Sequence, residues 1–244
     1  MTNIVIPMAG KGERFKNNGF EVPKPLIKVG QKTMIEAAIE SLGFNGKYIF
    51  ITRKYKDKSL NLSLTSAFES ATKNYIEIQI DEETEGPASS ALLAREFIDN
   101  PENLIIANCD QIMSWNPKHF TLVATSGLFD GMLVTYYAET DKNSYCLIDD
   151  NGLVTLVREK EQISTISTNG IHFWNAGHAF VSSAEEMIKA NDRAPNGEFY
   201  IAPSYNYLIK KGLKIGIFHI PNEQHNAVGV PEDLNRYLEK HAIL

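Results

Sequence analysis

Within the first 110 residues, short β-branched and aromatic runs alternate with segments of helical periodicity, and this alternation leaves few folds open. Residues 3–7 (NIVIP) are an apolar run that stops at a Gly-rich turn. Residues 33–42 carry apolar side chains at helical spacing, with Thr33 placed to cap them and Glu36 three residues on. Residues 47–52 (KYIFIT) read as a buried strand and 76–80 (IEIQI) as a half-buried one. Residues 87–99 predict a helix with Pro87 in its first turn, and 103–107 (NLIIA) a strand that ends at Asn108-Cys109-Asp110. A β-α-β-α-β order implies parallel strands with right-handed crossovers, so the expected class is α/β, with a Rossmann-like, mostly parallel open sheet. Such sheets bind ligands at the carboxyl ends of their strands, where the Gly-rich turn and Asp110 both fall.

The second half changes texture. Residues 131–137, 145–149, 153–158 and 171–181 read as strands, with Asn151-Gly152 as a two-residue hairpin turn. Residues 183–191 and 199–211 read as helices, 213–218 as a strand, and 231–240 as a closing helix with Pro first and acids next. No repeat or linker divides the chain, so one domain is expected over 1–244.

Charge and cysteine usage narrow the function. The formal net charge is -6, which disfavours a nucleic-acid partner. Cys109 and Cys146 are the two cysteines and lie far apart, so neither a disulfide framework nor a zinc site is expected. The chain opens on Ile4-Val5-Ile6 with no basic leader and no long apolar stretch, so we expect no membrane partner and a cytoplasmic location. A homo-oligomer is compatible with all of this.

The chemistry concentrates in Pro7-Met8-Ala9-Gly10-Lys11-Gly12-Glu13-Arg14-Phe15, continued by Pro23-Lys24-Pro25-Leu26. Gly10 and Gly12 let backbone N–H groups approach an anion. Arg14 offers a planar fork to phosphate oxygens. Lys24 stands between two prolines that restrict the backbone around it. Between residues 11 and 32 there are six lysines and arginines against two glutamates, in a chain that is acidic as a whole. Such a local cluster fits a polyphosphate ligand. A dinucleotide-binding turn would need glycine where Phe15 stands, which counts against an NAD-dependent oxidoreductase, and a Walker loop would need Gly-Lys-Ser/Thr. His172, His178, His219 and His225 show no metal spacing, and Trp115 and Trp174 read as core or pocket wall.

Residues 4–36, with their A-G-x-G-x-R and P-K-P-L elements, resemble the signature of the sugar-phosphate nucleotidyltransferases. This is the group that contains glucose-1-phosphate thymidylyltransferases and phosphocholine cytidylyltransferases. The resemblance continues at Glu85-Gly86-Pro87-Ala88, Asn108-Cys109-Asp110, Glu159-Lys160 and Gly229-Val230-Pro231-Glu232-Asp233-Leu234. It implies an enzyme that joins NMP from an NTP to a small phosphorylated acceptor with Mg²⁺ and releases pyrophosphate. The two halves would then be a nucleotide-binding half at 1–125 and an acceptor-binding half at 126–244.

By resemblance, Ala9, Gly10 and Gly12 would lie against the nucleotide, and Arg14 would hold the departing β,γ-phosphates. Lys24 would neutralise the α-phosphate, Gly86 and Ser89 or Ser90 would meet the base, and Asp110 would bind the metal. Glu159, Lys160 and Glu198 would face the acceptor, Lys160 toward its phosphate. The compact chain resembles the cytidylyltransferase branch, so CTP is the expected nucleotide, and no added carboxy-terminal domain is expected. The acceptor stays open between a sugar 1-phosphate and a non-sugar such as phosphocholine. Two departures stand out: Asn108 replaces the first carboxylate of the usual Asp-x-Asp, and Ala227 the usual second metal Asp. Asn226 beside it is then expected to lend a carbonyl oxygen or hold a metal-bound water. The alternative they raise is a nucleotide-binding regulator without catalysis.

Overall fold

The computed structural model describes residues 1–241. The first half runs β1 (Asn3–Pro7), α1 (Glu13–Asn17), β2 (Lys28–Val29), β3 (Lys32–Thr33), α2 (Met34–Leu42), β4 (Lys47–Arg53), α3 (Lys58–Ala71), β5 (Tyr75–Ile80), α4 (Pro87–Leu92), α5 (Arg95–Ile98) and β6 (Leu104–Ala107). There follow β7 (Gln111–Met113), α6 (Pro117–Ala124), β8 (Gly131–Tyr137), β9 (Ser144–Ile148), β10 (Val154–Glu159) and β11 (Ile166–Trp174). The chain closes with α7 (Gly177–Lys189), α8 (Tyr205–Ile209), β12 (Ile215–His219), β13 (His225–Ala227) and α9 (Pro231–His241).

β1 pairs in parallel with β4 and β6, and β4 with β5. β11 lies antiparallel to both β6 and β8, and β12 is parallel to β8. The sheet therefore runs β5-β4-β1-β6-β11-β8-β12 with β11 alone reversed, as the mostly parallel open sheet requires. The β9–β10 hairpin joins the start of β11, where Ser167 pairs with Tyr145. Alternate residues of the central strands feed two cores: Val5, Ile49 and Ile106 on one face, Ile4, Phe50 and Ile105 on the other. Burial on both faces is why these strands read as continuous apolar runs.

Helix α2 forms where its cap is written. Thr33 Oγ1 accepts from the Glu36 N–H, and the Glu36 carboxylate accepts from the Thr33 N–H at 2.7 Å. Ile35, Ile39 and Leu42 face the core at no more than 4% exposure, each stabilising by roughly 1.5–3 kcal/mol.

Four expected elements differ. The helix over 87–99 breaks at Leu93-Ala94, where N–H groups reach back three residues, to Ser90 and Ala91, and tighten the turn. The two-residue turn at Asn151-Gly152 is replaced by a three-residue loop. Asp149 accepts from both the Asn151 and Leu153 N–H groups, and Gly152 alone takes the left-handed conformation, at φ 77°. Residues 171–181 do not form one strand: β11 starts earlier, at Ile166, and stops at Trp174. Gly177, Phe180, Val181, Ala184 and Met187 are buried at helical spacing, and that periodicity overrides the β preference of Phe180 and Val181. Helical structure over 199–211 begins only at Ala202, because the Phe199 backbone is bonded to the Glu85–Ala88 segment. Among the described residues no helix is long and apolar enough to cross a membrane.

Candidate active site

The loops that leave β1, β5 and β6 enclose a cavity of about 540 Å³, lined by Ala9, Gly10, Arg14 and Lys24 on one side and Asn108 to Asp110 on the other. Gly10 is open: no atom lies within 4 Å of the place a Cβ would take, so its backbone is free to approach a ligand. Gly12 serves differently: at φ 64° it caps α1, and a Cβ there would come 3.2 Å from Lys24 Cβ. Its missing side chain is what lets the Lys24 segment close onto the loop.

Lys24 opens a 3₁₀ turn held between Pro23 and Pro25, and its Nζ is ion-paired to Asp110, each side chain about a fifth exposed. Burial works against the Lys24 charge, but the Asp110 carboxylate outweighs it and holds the ammonium above the usual lysine pKa. Asp110 is fixed in turn from the carboxy-terminal segment. Its carbonyl accepts from Val228 N–H at 2.8 Å, and Gly229 lies so close that a Cβ would overlap the carboxylate. Cys109 lines the same wall with its thiol pushed up to about 12 by burial, so it stays protonated and offers no nucleophile at neutral pH.

The far end of the cavity is made by Glu83, Thr84, Gly86 and Ser90. Ser90, rather than Ser89, lines it. Gly86 has φ 129°, and a Cβ there would stand 2.6 Å from the Phe199 carbonyl oxygen. An unexpected clasp holds this end to the loop that leaves β1. Glu83 is paired with Lys11 at 2.7 Å and with Arg53 at 2.9 Å, and Arg53 Nε donates to the Ala9 carbonyl at 3.2 Å. The Arg53–Glu83 contact is an ion pair without directed hydrogen-bond geometry. The position of Arg53 at the carboxyl end of a parallel strand was the available signal.

A second cavity of about 260 Å³ adjoins the first and shares Pro87, Asn108 and Tyr200 with it. Glu159 and Ser144 line it from the β9–β10 hairpin, and Thr168, Asn169 and His172 from β11. β11 loses register between Thr168 and His172, a bulge that contains Gly170 at φ 86°. A Cβ on Gly170 would collide with the side chains of Asn108 and Gln111, so glycine keeps this wall open. Glu159 is buried, which pushes its carboxyl up to about 7 even though Ser144 donates to it.

Glu198 lines the first cavity, bonded to Asn196 at 2.6 Å and to Tyr200 Oη at 2.7 Å. Lys160 borders neither cavity directly. Its Nζ donates to Tyr200 Oη at 2.6 Å, so it reaches the junction through that phenol. Burial, with Glu198 as acceptor, raises the Tyr200 pKa and keeps the phenol protonated. Ala227 borders the second cavity and is exposed. Asn226 lines neither cavity, and its amide N–H group donates to the Ile112 carbonyl at 3.1 Å and to Ser114 at 3.3 Å. Sequence reasoning did not place Gln111, Tyr136, Asn143, His172, Tyr200 or His225 at the site. The signal available was weak: Gln111 follows Asp110 directly, and Tyr200 stands two residues after Glu198.

The profile of the nucleotidyl transferase family matches residues 4–203, and the chain belongs to that family. It is 25% identical over 246 residues to the bifunctional protein GlmU of Methanocaldococcus jannaschii, a match covering 97% of this chain and 54% of that protein. The chain spans about half the length of the relatives of this kind that it matches. Among solved structures, the nucleoside-diphosphate-sugar pyrophosphorylase from Vibrio cholerae RC9 superposes with TM-score 0.84 at 25% identity, covering 97% of this chain and 99% of that one. The inositol-1-phosphate CTP transferase from T. maritima, at 13% identity and TM-score 0.74 over 98% and 96% of the two chains, shares the fold.

Proposed function

We propose that this chain transfers NMP from an NTP to a sugar phosphate and releases pyrophosphate. The carrying observation is the pair of joined cavities. One presents Arg14, Lys24 and Asp110 at strand ends; the other is polar, and the two meet at Asn108 and Tyr200. An acceptor seated in the second cavity would place its phosphate at the junction, facing the α-phosphate of a nucleotide in the first. A phosphate oxygen is already anionic, so the attack needs alignment and charge neutralisation rather than a general base. Lys24 would supply that charge at the α-phosphate and Arg14 at the departing pyrophosphate.

The donor set also fits Mg²⁺ brought in by the nucleotide. Asp110 is the carboxylate at hand, and the described residues include no cluster of three His, Cys, Asp or Glu able to hold an ion alone. Mg²⁺ favours few carboxylates and several phosphate or water oxygens, and when bound it would offset phosphate charge. The resemblance to the cytidylyltransferase branch favours CTP. Thr84 Oγ1 donates to the Gly86 carbonyl at 3.0 Å and lies 2.6 Å from Ser90 Oγ. Thr84 and Ser90 thus place two hydroxyl groups, each able to donate and accept, on the wall assigned to the base. Screening four NTPs against phosphorylated acceptors for pyrophosphate release tests the reading. Nucleotide binding without pyrophosphate from any pair would favour the regulator that Ala227 raises.

A further inference from the structure

We propose that Arg53 is a positioning residue that aims the Gly10 N–H at the phosphates of a nucleotide in the first cavity. This rests on the reading of that cavity as the nucleotide site. Arg53 is the last residue of β4, which pairs in parallel with β1. The Met8 N–H donates to the Ile51 carbonyl at 2.9 Å, and beyond it the chain leaves the sheet. The next fixed point is the Ala9 carbonyl, which accepts from Arg53 Nε at 3.2 Å. The other side of the same guanidinium stands 2.9 Å from Glu83, in the loop after β5. Arg53 does not itself line the cavity, whereas Ala9, Gly10 and Glu83 do. It therefore acts on a ligand through the groups it holds.

The peptide bond turns this contact into an aim. The Ala9 carbonyl and the Gly10 N–H belong to one planar trans peptide and point in opposite directions. With the carbonyl drawn to Arg53, the N–H points away from it, and that N–H donates to no carbonyl of the described residues. Left alone, this plane turns over easily. The turn changes ψ at Ala9 and φ at Gly10, and glycine accepts φ of either sign. No atom lies within 4 Å of the place a Gly10 Cβ would take, so packing does not prevent it. A turned plane would present an oxygen to the phosphates in place of a donor. The Arg53 guanidinium opposes that turn. Its bond to a carbonyl is charge-assisted and so stronger than a neutral one, and its rigid planar fork serves Ala9 and Glu83 together. It also polarises the peptide, which strengthens the N–H on the far side.

The test measures Kd for the four NTPs, for the nucleoside of the tightest and for inorganic tripolyphosphate, by calorimetry or, for the weak nucleoside, by NMR titration. Arg53→Met should raise Kd for the NTP and for tripolyphosphate roughly tenfold or more, the worth of a hydrogen bond to a charged group. Kd for the nucleoside should change less than about twofold, because it carries no phosphate for Gly10 to meet. Arg53→Lys keeps the charge beside Glu83 without the fork. It should show the same pattern with a smaller loss, and it carries the test if the methionine variant does not fold. In protein labelled with [15N]glycine, the Gly10 amide should shift downfield when tripolyphosphate is added, and much less in either variant. Equal losses for NTP and nucleoside would mean that Arg53 only holds the two walls together, and would overturn the inference. An NTP Kd within twofold of the unmodified protein, or a Gly10 amide that shifts alike in all three proteins, overturns it too and leaves the nucleotide site standing. No binding of any NTP or of tripolyphosphate to the unmodified protein overturns the nucleotide reading, and the inference with it.

Discussion

The two cavities are built in opposite ways. The first takes its cations from one stretch of sequence, Ala9 to Lys24, hung on the end of β1. The second takes its walls from β7, β9, β10, β11 and β13, residues more than a hundred positions apart, and Lys142 and Glu159 are the charged side chains among them. The difference fits what each is proposed to hold. A polyphosphate is gripped by charge, which a short loop can deliver at long reach. The body of a phosphorylated acceptor is recognised by placed donors and acceptors, and these need rigid walls on several sides.

The largest effects should come from the charged cavity. Lys24→Ala should lower kcat about 10²–10³-fold while the protein stays folded, since the charge acts mainly in the transition state. Asp110→Asn should do at least as much. Arg14→Ala should also raise KM for the nucleotide, because its fork is proposed to hold the phosphates in the ground state. Steady-state kinetics on purified, folded variants checks all three. Near-normal kcat in Lys24→Ala would break the contrast at its strongest point.

Next come the glycines that keep each wall in place. Gly86→Ala imposes φ 129° on an L-residue and drives a methyl group into the Phe199 backbone, which cannot yield cheaply. The expected loss is about 3 kcal/mol of stability by chemical denaturation. Gly170→Ala meets only the movable ends of Asn108 and Gln111. It should cost less stability, about 1–2 kcal/mol, and raise acceptor KM instead. Equal effects on nucleotide and acceptor KM would show that the walls are not separate.

This contrast also explains what was legible in the sequence. The Gly-rich loop after β1, the strand-end Asp110 and α2 with its cap are local patterns, and the chain carries them within a few residues. The wall of the second cavity is not local. Gln111 and His225 face one another's strands only because β7 pairs with β13 across more than a hundred residues. His172 sits in a strand whose start, Ile166-Ser167-Thr168, is too polar to stand out from a loop. Arg53 and Glu83 likewise meet only once β4 and β5 are paired.

Glu159 gives a smaller, pH-dependent effect. Its folded pKa of about 7 lies above the ordinary 4.5, so folding favours the protonated acid. The stability tied to that proton is fully present below about pH 4.5 and is lost as pH rises through 7, reaching a few kcal/mol at pH 8. The Tm of the unmodified protein should therefore fall between pH 5 and pH 8 more than that of Glu159→Gln, which carries no proton to lose. Parallel Tm profiles would mean that Glu159 is solvated when the protein is free of ligand.

The smallest effect is expected from Ala227→Asp, and it bears on how the two cavities share an ion. Ala227 pairs with Gln111 at the edge of the second cavity and is exposed, so an aspartate there keeps its hydration. A buried, unpaired carboxylate would cost several kcal/mol, but here stability should change by no more than about 0.5 kcal/mol. The new carboxylate lies one residue from Val228, whose N–H holds the Asp110 backbone. Two carboxylates near the junction should tighten Mg²⁺ binding several-fold in the absence of nucleotide, and the same charge should raise KM for an anionic acceptor. Calorimetry with Mg²⁺ alone and with a non-hydrolysable NTP separates the terms. The unmodified protein should bind the ion strongly only with nucleotide, because Asp110 by itself is engaged by Lys24. Tight binding of Mg²⁺ alone to the unmodified protein would mean that the charged cavity completes its own ion site, and the division between the cavities would have to be redrawn.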